Sequence, residues 1–147
     1  MGTMGFGIPA AVGAAFGRPD RTVCVFTGDG GLQMMMQEFG TIMEHKVPVK
    51  MILLNNSYLG NVRQWQELFY DRRYSFTHLE NPDFMVIASA YGIPSRRVLD
   101  REDLGDAVRE MLAADGPFFL EACVREEGNV MPMTPPGQPI DNMLMEC

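Results

Sequence analysis

The sequence has little of what marks disulfide-rich, zinc-binding, nucleic-acid-binding or membrane-spanning proteins. Its three cysteines, Cys24, Cys123 and Cys147, are an odd number without a Cys-x-x-Cys spacing, so neither a disulfide framework nor a zinc site is predicted. Lys and Arg number 12 against 19 Asp and Glu, and a net charge of -7 leaves no basic surface for nucleic acid or an anionic membrane. No segment has the roughly 18 consecutive apolar residues of a membrane span. We therefore expect a soluble, cytoplasmic protein with reduced thiols.

What is present fits one globular domain, because 46% of the 147 residues are hydrophobic and no internal repeat is evident. From Glu126 onward the chain is rich in Pro, Gly and Met without periodicity. That composition predicts an irregular C-terminal tail or lid over 126–147 instead of another layer. The domain proper is predicted to occupy residues 1–125.

Short apolar runs alternate with helical stripes along the chain. Thr22–Phe26 and Val49–Leu54 are predicted as buried strands, and apolar residues at three- and four-residue steps between them predict a helix from about Gly31 to His45. A strand, a helix and a strand of these lengths form a βαβ crossover with parallel strands. The sequence therefore predicts an α/β fold of three layers, with a mostly parallel sheet covered on both faces.

The second half of the chain continues this pattern. Its predicted elements are a helix begun by Asn81-Pro82 and ended by Gly92, a helix from about Arg101 to Ala114 capped by Asp100 and ended by Gly116, and a buried strand over Pro117–Val124.

Two polar motifs follow the first two predicted strands. Gly28-Asp29-Gly30-Gly31 comes after the first strand, and Asn55-Asn56 comes after the second. Ligands of open parallel sheets lie beyond the carboxyl ends of the strands, so Asp29 and Asn56 can converge there and offer the oxygens that Mg²⁺ prefers. The glycines let the main chain approach a phosphate, and the following helix points free N–H groups at it. Together the motifs predict a magnesium-diphosphate cradle, although Gly-Asp-Gly by itself is also a common turn signal.

These motifs resemble the diphosphate-binding domain of thiamine-diphosphate enzymes, whose signature is Gly-Asp-Gly, a helical stretch and then Asn-Asn. Further segments resemble the catalytic subunit of the acetolactate synthase (acetohydroxyacid synthase) family across essentially the whole chain. They are Gly2–Ala11, Asn55–Gly60, Val62–Tyr70, Asn81–Phe84, Pro132-Met133 and Pro136-Gly137.

The resemblance implies a role for each residue of the cradle. The implied Mg²⁺ ligands are the Asp29 carboxylate, the Asn56 side-chain oxygen and the Tyr58 main-chain carbonyl. The implied cofactor-binding residues are Gly2, Met4, Gly28, Gly30, Gly31, Asn56, Gly60 and Asn61. Gly2 would offer its carbonyl to the aminopyrimidine of thiamine diphosphate, while Met4 would hold that ring folded toward the thiazolium. Asn61 stands where the family pattern has Met.

Val62 and Trp65 are the substrate residues that the resemblance implies. Trp65 would form a wall of the substrate channel that favours the bulkier second 2-oxo acid. From the residues alone, a single Trp with apolar helical neighbours such as Leu68 and Phe69 is also an ordinary packing residue.

The implied parent enzyme decarboxylates pyruvate and joins the remaining two-carbon unit to a second 2-oxo acid, in branched-chain amino-acid biosynthesis. The family uses thiamine diphosphate and Mg²⁺, carries FAD largely on a middle domain, forms homodimers or tetramers and can have a regulatory small subunit. Its activating glutamate belongs to a pyrimidine-binding domain, and we expect neither that domain nor the middle domain in these 147 residues. Since Met1 stands inside a family motif, we expect a fragment or an isolated domain that holds no catalytic residue and has no turnover of its own.

Two alternatives stay open. One is another thiamine-diphosphate-dependent decarboxylase or carboligase, such as a glyoxylate carboligase or pyruvate oxidase relative, although Gln64-Trp65-Gln66 argues against it. The other is a noncatalytic domain that binds a partner protein through an exposed Met-rich face. Cofactor binding that depends on Mg²⁺ separates these alternatives, because a partner-binding domain need not show it.

Two further patterns are discounted. Gly5–Ala10 matches G-x-G-x-x-A, but only four residues precede it, too few for the strand of a dinucleotide-binding fold. His45 and His78 lack a Ser or Cys in the context of a catalytic triad.

Overall fold

The computed structural model describes residues 2–145, which form a four-stranded sheet flanked by helices. In chain order the elements are α1 (Gly7–Gly17), β1 (Val23–Gly28), α2 (Asp29–Met34), α3 (Glu38–His45), β2 (Val49–Asn55), α4 (Gly60–Phe69), α5 (Phe84–Ala90), β3 (Ser95–Val98), a 3-10 turn (Arg101–Asp103), α6 (Leu104–Ala113) and β4 (Phe118–Cys123). The strand order is β1-β2-β4-β3, and each pairing is parallel. The predicted α/β class with a parallel sheet is confirmed.

Each face of the sheet carries its own core, because alternate residues of a strand point to opposite faces. The core under α1, α2, α3 and α5 is the larger: Ile8, Ala11, Val12, Ala15, Val25, Leu32, Phe39, Ile42, Val47, Val49, Met51, Leu53, Phe84, Ala88, Ile93 and Phe119. The core under α6 is the smaller: Ile52, Val98, Ala107, Met111, Phe118 and Leu120. Helices therefore lie on both sides of the sheet, as the three-layer prediction requires.

The prediction that the first strand is buried on both faces is wrong. Along β1 burial alternates, so Val25 lies in the larger core while Cys24 and Phe26 are exposed. The reason is the position of α6, which packs against β3 and β4 and leaves the β1 end of the same face uncovered within residues 2–145. Phe26 and Leu54, exposed by 68% and 42%, form part of this open apolar area.

The single helix predicted from Gly31 to His45 is instead two helices, α2 and α3. Helical geometry ends at Met35, with φ of -134°, and resumes at Glu38. The break makes room for the chain at Gly5, whose φ is +88° and where an added Cβ would lie 2.9 Å from Met35 Cγ. Hydrogen bonds with a three-residue spacing cross the break, so Leu32 and Phe39 stay on the same buried side.

The predicted helix boundaries need two corrections. The N-cap of α5 is Asp83, whose carboxylate accepts the Met85 N–H at 2.9 Å, and not Asn81, because Asn81 is engaged in the site described below. Asp100 precedes the 3-10 turn without a side-chain capping bond, and the C-cap of α6 is Ala114 instead of Gly116.

Helix α1 and strand β3 have sequences that did not predict them. Helix α1 has few large side chains and consists mainly of Gly and Ala, so it shows no apolar stripe, and β3 has the sequence Ser-Arg-Arg-Val. After β4 the described chain up to residue 145 forms no further helix or strand, only an isolated bridge between Met133 and Leu144. Cys147 lies outside the described residues. No helix within residues 2–145 has the length and hydropathy needed to cross a membrane.

Candidate functional site

The carboxyl ends of β1 and β2 meet at one edge of the sheet, where Gly28 pairs with Leu54. A cavity of about 930 Å³ lies beyond these ends. Its walls include the residues predicted from the Gly-Asp-Gly and Asn-Asn motifs and their surroundings: Gly2, Met4, Gly28, Asp29, Gly30, Gly31, Asn56, Tyr58, Gly60, Asn61 and Val62. The fold thus brings together segments that are up to 60 positions apart in the sequence.

Asp29 is the first residue of α2 and is almost fully buried, with 1% of its surface exposed. Its Oδ1 accepts the main-chain N–H of Gly30 at 3.0 Å, and its Oδ2 accepts Nδ2 of Asn81 at 2.7 Å. A carboxylate held at the start of a helix in this way has a fixed orientation at the cavity wall.

The Asn56–Tyr58 turn contributes Asn56 and Tyr58 to the cavity wall. Asn56 Oδ1 accepts the Tyr58 N–H at 3.2 Å, and Ser57 between them has φ of +58°. Two main-chain bonds of 2.8 Å tie this turn to residues 77–79, and the Arg63 guanidinium lies 5.2 Å from the centre of the Tyr58 ring. The turn is therefore braced from two sides, with its oxygens close to the end of β2.

At two glycines of this wall an added Cβ would meet side chains that line the cavity. A Cβ on Gly30 would lie 2.6 Å from Leu59 Cδ2 and 2.7 Å from Met4 Cε. A Cβ on Gly60 would lie 3.1 Å from Asn56 Nδ2. In contrast, nothing lies within 4 Å of a Cβ at Gly28, where the main chain borders the open cavity.

Trp65 lies apart from this cavity. It borders a separate hollow of about 670 Å³ together with Val62, Tyr70 and Arg73, so Val62 is the residue that the two spaces share. The Trp65 ring packs edge-on against Phe69 at 5.9 Å and is 38% exposed. Trp65 is thus not a buried core residue of this chain.

The donor set of the cavity suits a hard cation bound together with a phosphate. Within residues 2–145 no group of three or more His, Cys, Asp and Glu side chains is close enough to hold a metal. A cation at Asp29 would therefore have one carboxylate, with amide, main-chain and phosphate oxygens for the rest, which is the pattern that Mg²⁺ takes with phosphate ligands.

The sequence did not reveal the polar residues behind Asp29. Asn81 bonds to Asp29, and Asn55 turns away from the cavity, so that its Nδ2 donates to Glu121 at 2.7 Å. Glu121 also accepts Arg97 Nε at 2.6 Å, and this hydrogen bond raises the pKa of the arginine. The one available signal was a glutamate inside the apolar strand Phe-Phe-Leu-Glu-Ala-Cys.

The parallel sheet, the glycine-lined cavity and the oxygen donors at the strand ends define a diphosphate-binding domain. Residues 1–122 match the family of the thiamine pyrophosphate enzyme, C-terminal TPP binding domain, and the chain belongs to this family. Thiamine pyrophosphate is the cofactor called thiamine diphosphate above.

Curated proteins similar to this chain are acetolactate synthases. The chain is 47% identical over 145 residues to the acetolactate synthase isozyme 2 large subunit of Escherichia coli (strain K12), covering 98% of this chain and 26% of that protein. It is 41% identical to the mitochondrial acetolactate synthase of Schizosaccharomyces pombe, covering 99% of this chain and 22% of that protein. The predicted resemblance to acetolactate synthases is confirmed, and the chain spans about a quarter of the length of these relatives.

A solved structure agrees on the fold. The thiamine diphosphate-dependent 4-hydroxybenzoylformate decarboxylase of Rhodococcus jostii RHA1 is similar with a TM-score of 0.78 and 32% identity. The similarity covers 85% of this chain and 24% of that one.

Proposed function

We propose that the chain is the C-terminal cofactor-binding domain of an acetolactate synthase. The observation that carries the proposal is the convergence of Asp29, Asn56 and Tyr58 with the glycine main chain around one cavity. The relatives at 41% and 47% identity, which are acetolactate synthases along nearly the whole chain, support this enzyme. The proposed division is a binding domain over 1–125 and a tail or lid over 126–147.

The proposed Mg²⁺ ligands are the Asp29 carboxylate, the Asn56 side-chain oxygen and the Tyr58 carbonyl. The proposed diphosphate contacts are Gly30, Gly31, Gly60 and Asn61, and Gly28 is a further proposed cofactor-binding residue. Gly2 and Met4 would contact the aminopyrimidine. When bound, thiamine diphosphate supplies the carbanion chemistry, and this chain's residues hold and orient it and exclude water.

The proposed reaction joins pyruvate to a second 2-oxo acid, with Val62 and Trp65 next to the substrates. Transferase activity would need the activating glutamate of a pyrimidine-binding domain, which we place outside these 147 residues, as we do the main part of the FAD site. The cytoplasmic location, the homodimeric or tetrameric assembly and the regulatory subunit belong to the same proposal.

A second candidate is a thiamine-diphosphate-dependent decarboxylase, because the Rhodococcus jostii structure shares the fold. Its identity of 32% is lower than the 47% of the Escherichia coli synthase, which favours acetolactate synthesis. With pyruvate as the substrate, the two candidates differ in the fate of the two-carbon unit that remains after loss of CO₂: a synthase joins it to a second 2-oxo acid, and a decarboxylase releases it as acetaldehyde.

A chimera tests the proposal. The corresponding segment of the Escherichia coli isozyme 2 large subunit is replaced by this chain, and products from pyruvate are measured with Mg²⁺ and thiamine diphosphate present. We expect acetolactate from the chimera and none from its Asp29→Ala variant or from the 147-residue chain alone. Acetaldehyde as the main product of a folded chimera would favour the decarboxylase, and acetolactate from the chain alone would contradict the need for a second domain.

A further inference from the structure

Glu121 is a charged residue in an unusual place, the middle of the apolar strand β4, with 1% of its surface exposed. Its Oε2 accepts Arg97 Nε at 2.6 Å, and Arg97 is its register partner on the edge strand β3. Burying a carboxylate costs free energy, and the ion pair with Arg97 compensates only part of that cost. The other oxygen of Glu121, Oε1, takes part in a second set of hydrogen bonds.

Glu121 Oε1 begins a chain of side-chain hydrogen bonds that ends at Asp29. Asn55 Nδ2 donates to Glu121 Oε1 at 2.7 Å, and Asn55 Oδ1 accepts Asn81 Nδ2 at 2.9 Å. Asn81 Nδ2 also donates to Asp29 Oδ2 at 2.7 Å. The four connected residues lie within β4, at the end of β2, at the start of α2 and in the loop before α5, and we call Glu121, Asn55 and Asn81 the positioning network.

The orientation of each amide in the positioning network is determined by its neighbour. Glu121 is paired with Arg97 and accepts a hydrogen bond from Asn55, so Asn55 directs its NH₂ group at Glu121 and its oxygen at Asn81. The Ser57 N–H, which donates to Asn55 Oδ1 at 3.1 Å, requires the same orientation. On Asn81 the oxygen accepts Gln33 Nε2 at 2.7 Å, so its NH₂ group faces Asp29.

We propose that the positioning network orients the Asp29 carboxylate for its metal ion, an inference that rests on the proposed function. None of the three network residues lines the cavity, so none of them touches the metal itself, and Asn81 is the one that bonds Asp29 directly. The bond from Asn81 fixes the rotation of the carboxylate and occupies one lone pair of Oδ2. Hydrogen-bond partners of metal ligands commonly change metal affinity about 10- to 100-fold when removed.

The experiment is a titration of the 147-residue chain with MgCl₂ at saturating thiamine diphosphate, followed by the fluorescence of its single Trp and by calorimetry. We expect Asn81→Ala and Glu121→Gln to raise the Mg²⁺ Kd about 10- to 100-fold. The matched control is Glu110→Gln, because Glu110 pairs with Arg96 at 2.8 Å next to Arg97 but is exposed and takes part in none of the hydrogen bonds of the positioning network. Its Kd is expected to stay within about twofold of the unmodified chain.

A second readout separates positioning from general stability. Thiamine diphosphate affinity in EDTA, which depends on the main chain and not on the metal, is expected to stay unchanged in Asn81→Ala. A lower Tm with an unchanged Mg²⁺ Kd would overturn the inference. If circular dichroism shows that Glu121→Gln does not fold, Asn81→Ser in the half-buried loop position gives the same test.

Different results would overturn the proposed cofactor-binding function and the proposed role of the positioning network. Absence of any Mg²⁺-dependent binding both in the unmodified chain and in the chimera with the Escherichia coli subunit would overturn the proposed function and this inference with it. Mg²⁺-dependent binding in the unmodified chain, with the same Kd in Asn81→Ala and Glu121→Gln, would overturn the positioning network alone.

Discussion

The side-chain amide of Gln64 holds the main chain of Val130 through two hydrogen bonds of 2.9 Å, one in each direction. Gln64 lies on α4, directly after the cradle, and is 4% exposed. Val130 belongs to the irregular segment after β4. The segment is therefore attached to the helix that follows the Asn56–Tyr58 turn, and Gln64 makes two of the hydrogen bonds that attach it.

Gln64→Ala is expected to release this segment. Two lost hydrogen bonds correspond to about 1–2 kcal/mol of local stability, so trypsin cleavage after Arg125 should become about 5- to 30-fold faster. The matched control is Gln66→Ala, because the Gln66 amide makes the same pair of hydrogen bonds with the main chain of Ser75, at 3.0 and 3.1 Å. This change should loosen the loop around Ser75 instead. Limited proteolysis with mass spectrometry measures both, and equal cleavage after Arg125 in the two variants would contradict the attachment.

Gly60→Ala is expected to weaken binding of thiamine diphosphate with Mg²⁺, because the new Cβ would lie 3.1 Å from Asn56 Nδ2 and push a proposed ligand. Gly40→Ala is the control. Nothing lies within 4 Å of a Cβ there, inside α3, so this change should leave binding intact and stabilise the chain by about 0.5–1 kcal/mol. Calorimetry and thermal unfolding check the pair, and equal cofactor affinities would show that the Gly60 contact has no role.

Phe39→Ala is expected to lower the free energy of unfolding by about 3–5 kcal/mol. The Phe39 ring is 1% exposed and packs edge-on against Tyr91 at 5.8 Å and Phe119 at 5.7 Å. Phe76→Ala removes the same ring from a side chain that is 99% exposed, and should change stability by less than about 0.5 kcal/mol. Urea unfolding measures the free energy of unfolding of both variants. Similar losses of this free energy in the two variants would contradict the assignment of Phe39 to the larger core.

Asp83 gives the chain a predicted response to acid. The hydrogen bond from the Met85 N–H, assisted by Arg97, holds the pKa of Asp83 below its ordinary value of 3.8. A carboxyl with a lowered folded pKa contributes stability that is complete above the unfolded value and is lost as the pH falls through the folded value. Asp83→Ala should therefore lower Tm near neutral pH by an amount that shrinks below pH 3.8.

Asp83→Asn is the control for that response. It keeps an oxygen for the Met85 N–H but carries no charge, so its Tm difference from the unmodified chain should be smaller than that of Asp83→Ala near neutral pH. Scans from about pH 7 to about pH 3 provide the measurement. An Asp83→Ala deficit that is constant over this range would contradict the predicted linkage.

The parts of the fold that the sequence predicted are those with local patterns. Strands β1 and β2 with the polar residues after them were recognisable because β-branched runs, glycines and the Asn pair lie next to each other in the chain. The contact of Asn81 with Asp29 was not recognisable, because it joins residues 52 positions apart and depends on the path of a loop. The alternating burial of β1 was missed because it depends on where α6 packs.

Asp29 and Asn56, at neighbouring strand ends, are proposed to hold a divalent cation that fixes a diphosphate. The most direct measurement is calorimetric titration of the chain and its Asp29→Ala variant with thiamine diphosphate, each in MgCl₂ and in EDTA. We predict that the chain binds more tightly in MgCl₂ and that Asp29→Ala loses this difference. The same Mg²⁺-dependent affinity in Asp29→Ala would contradict the account.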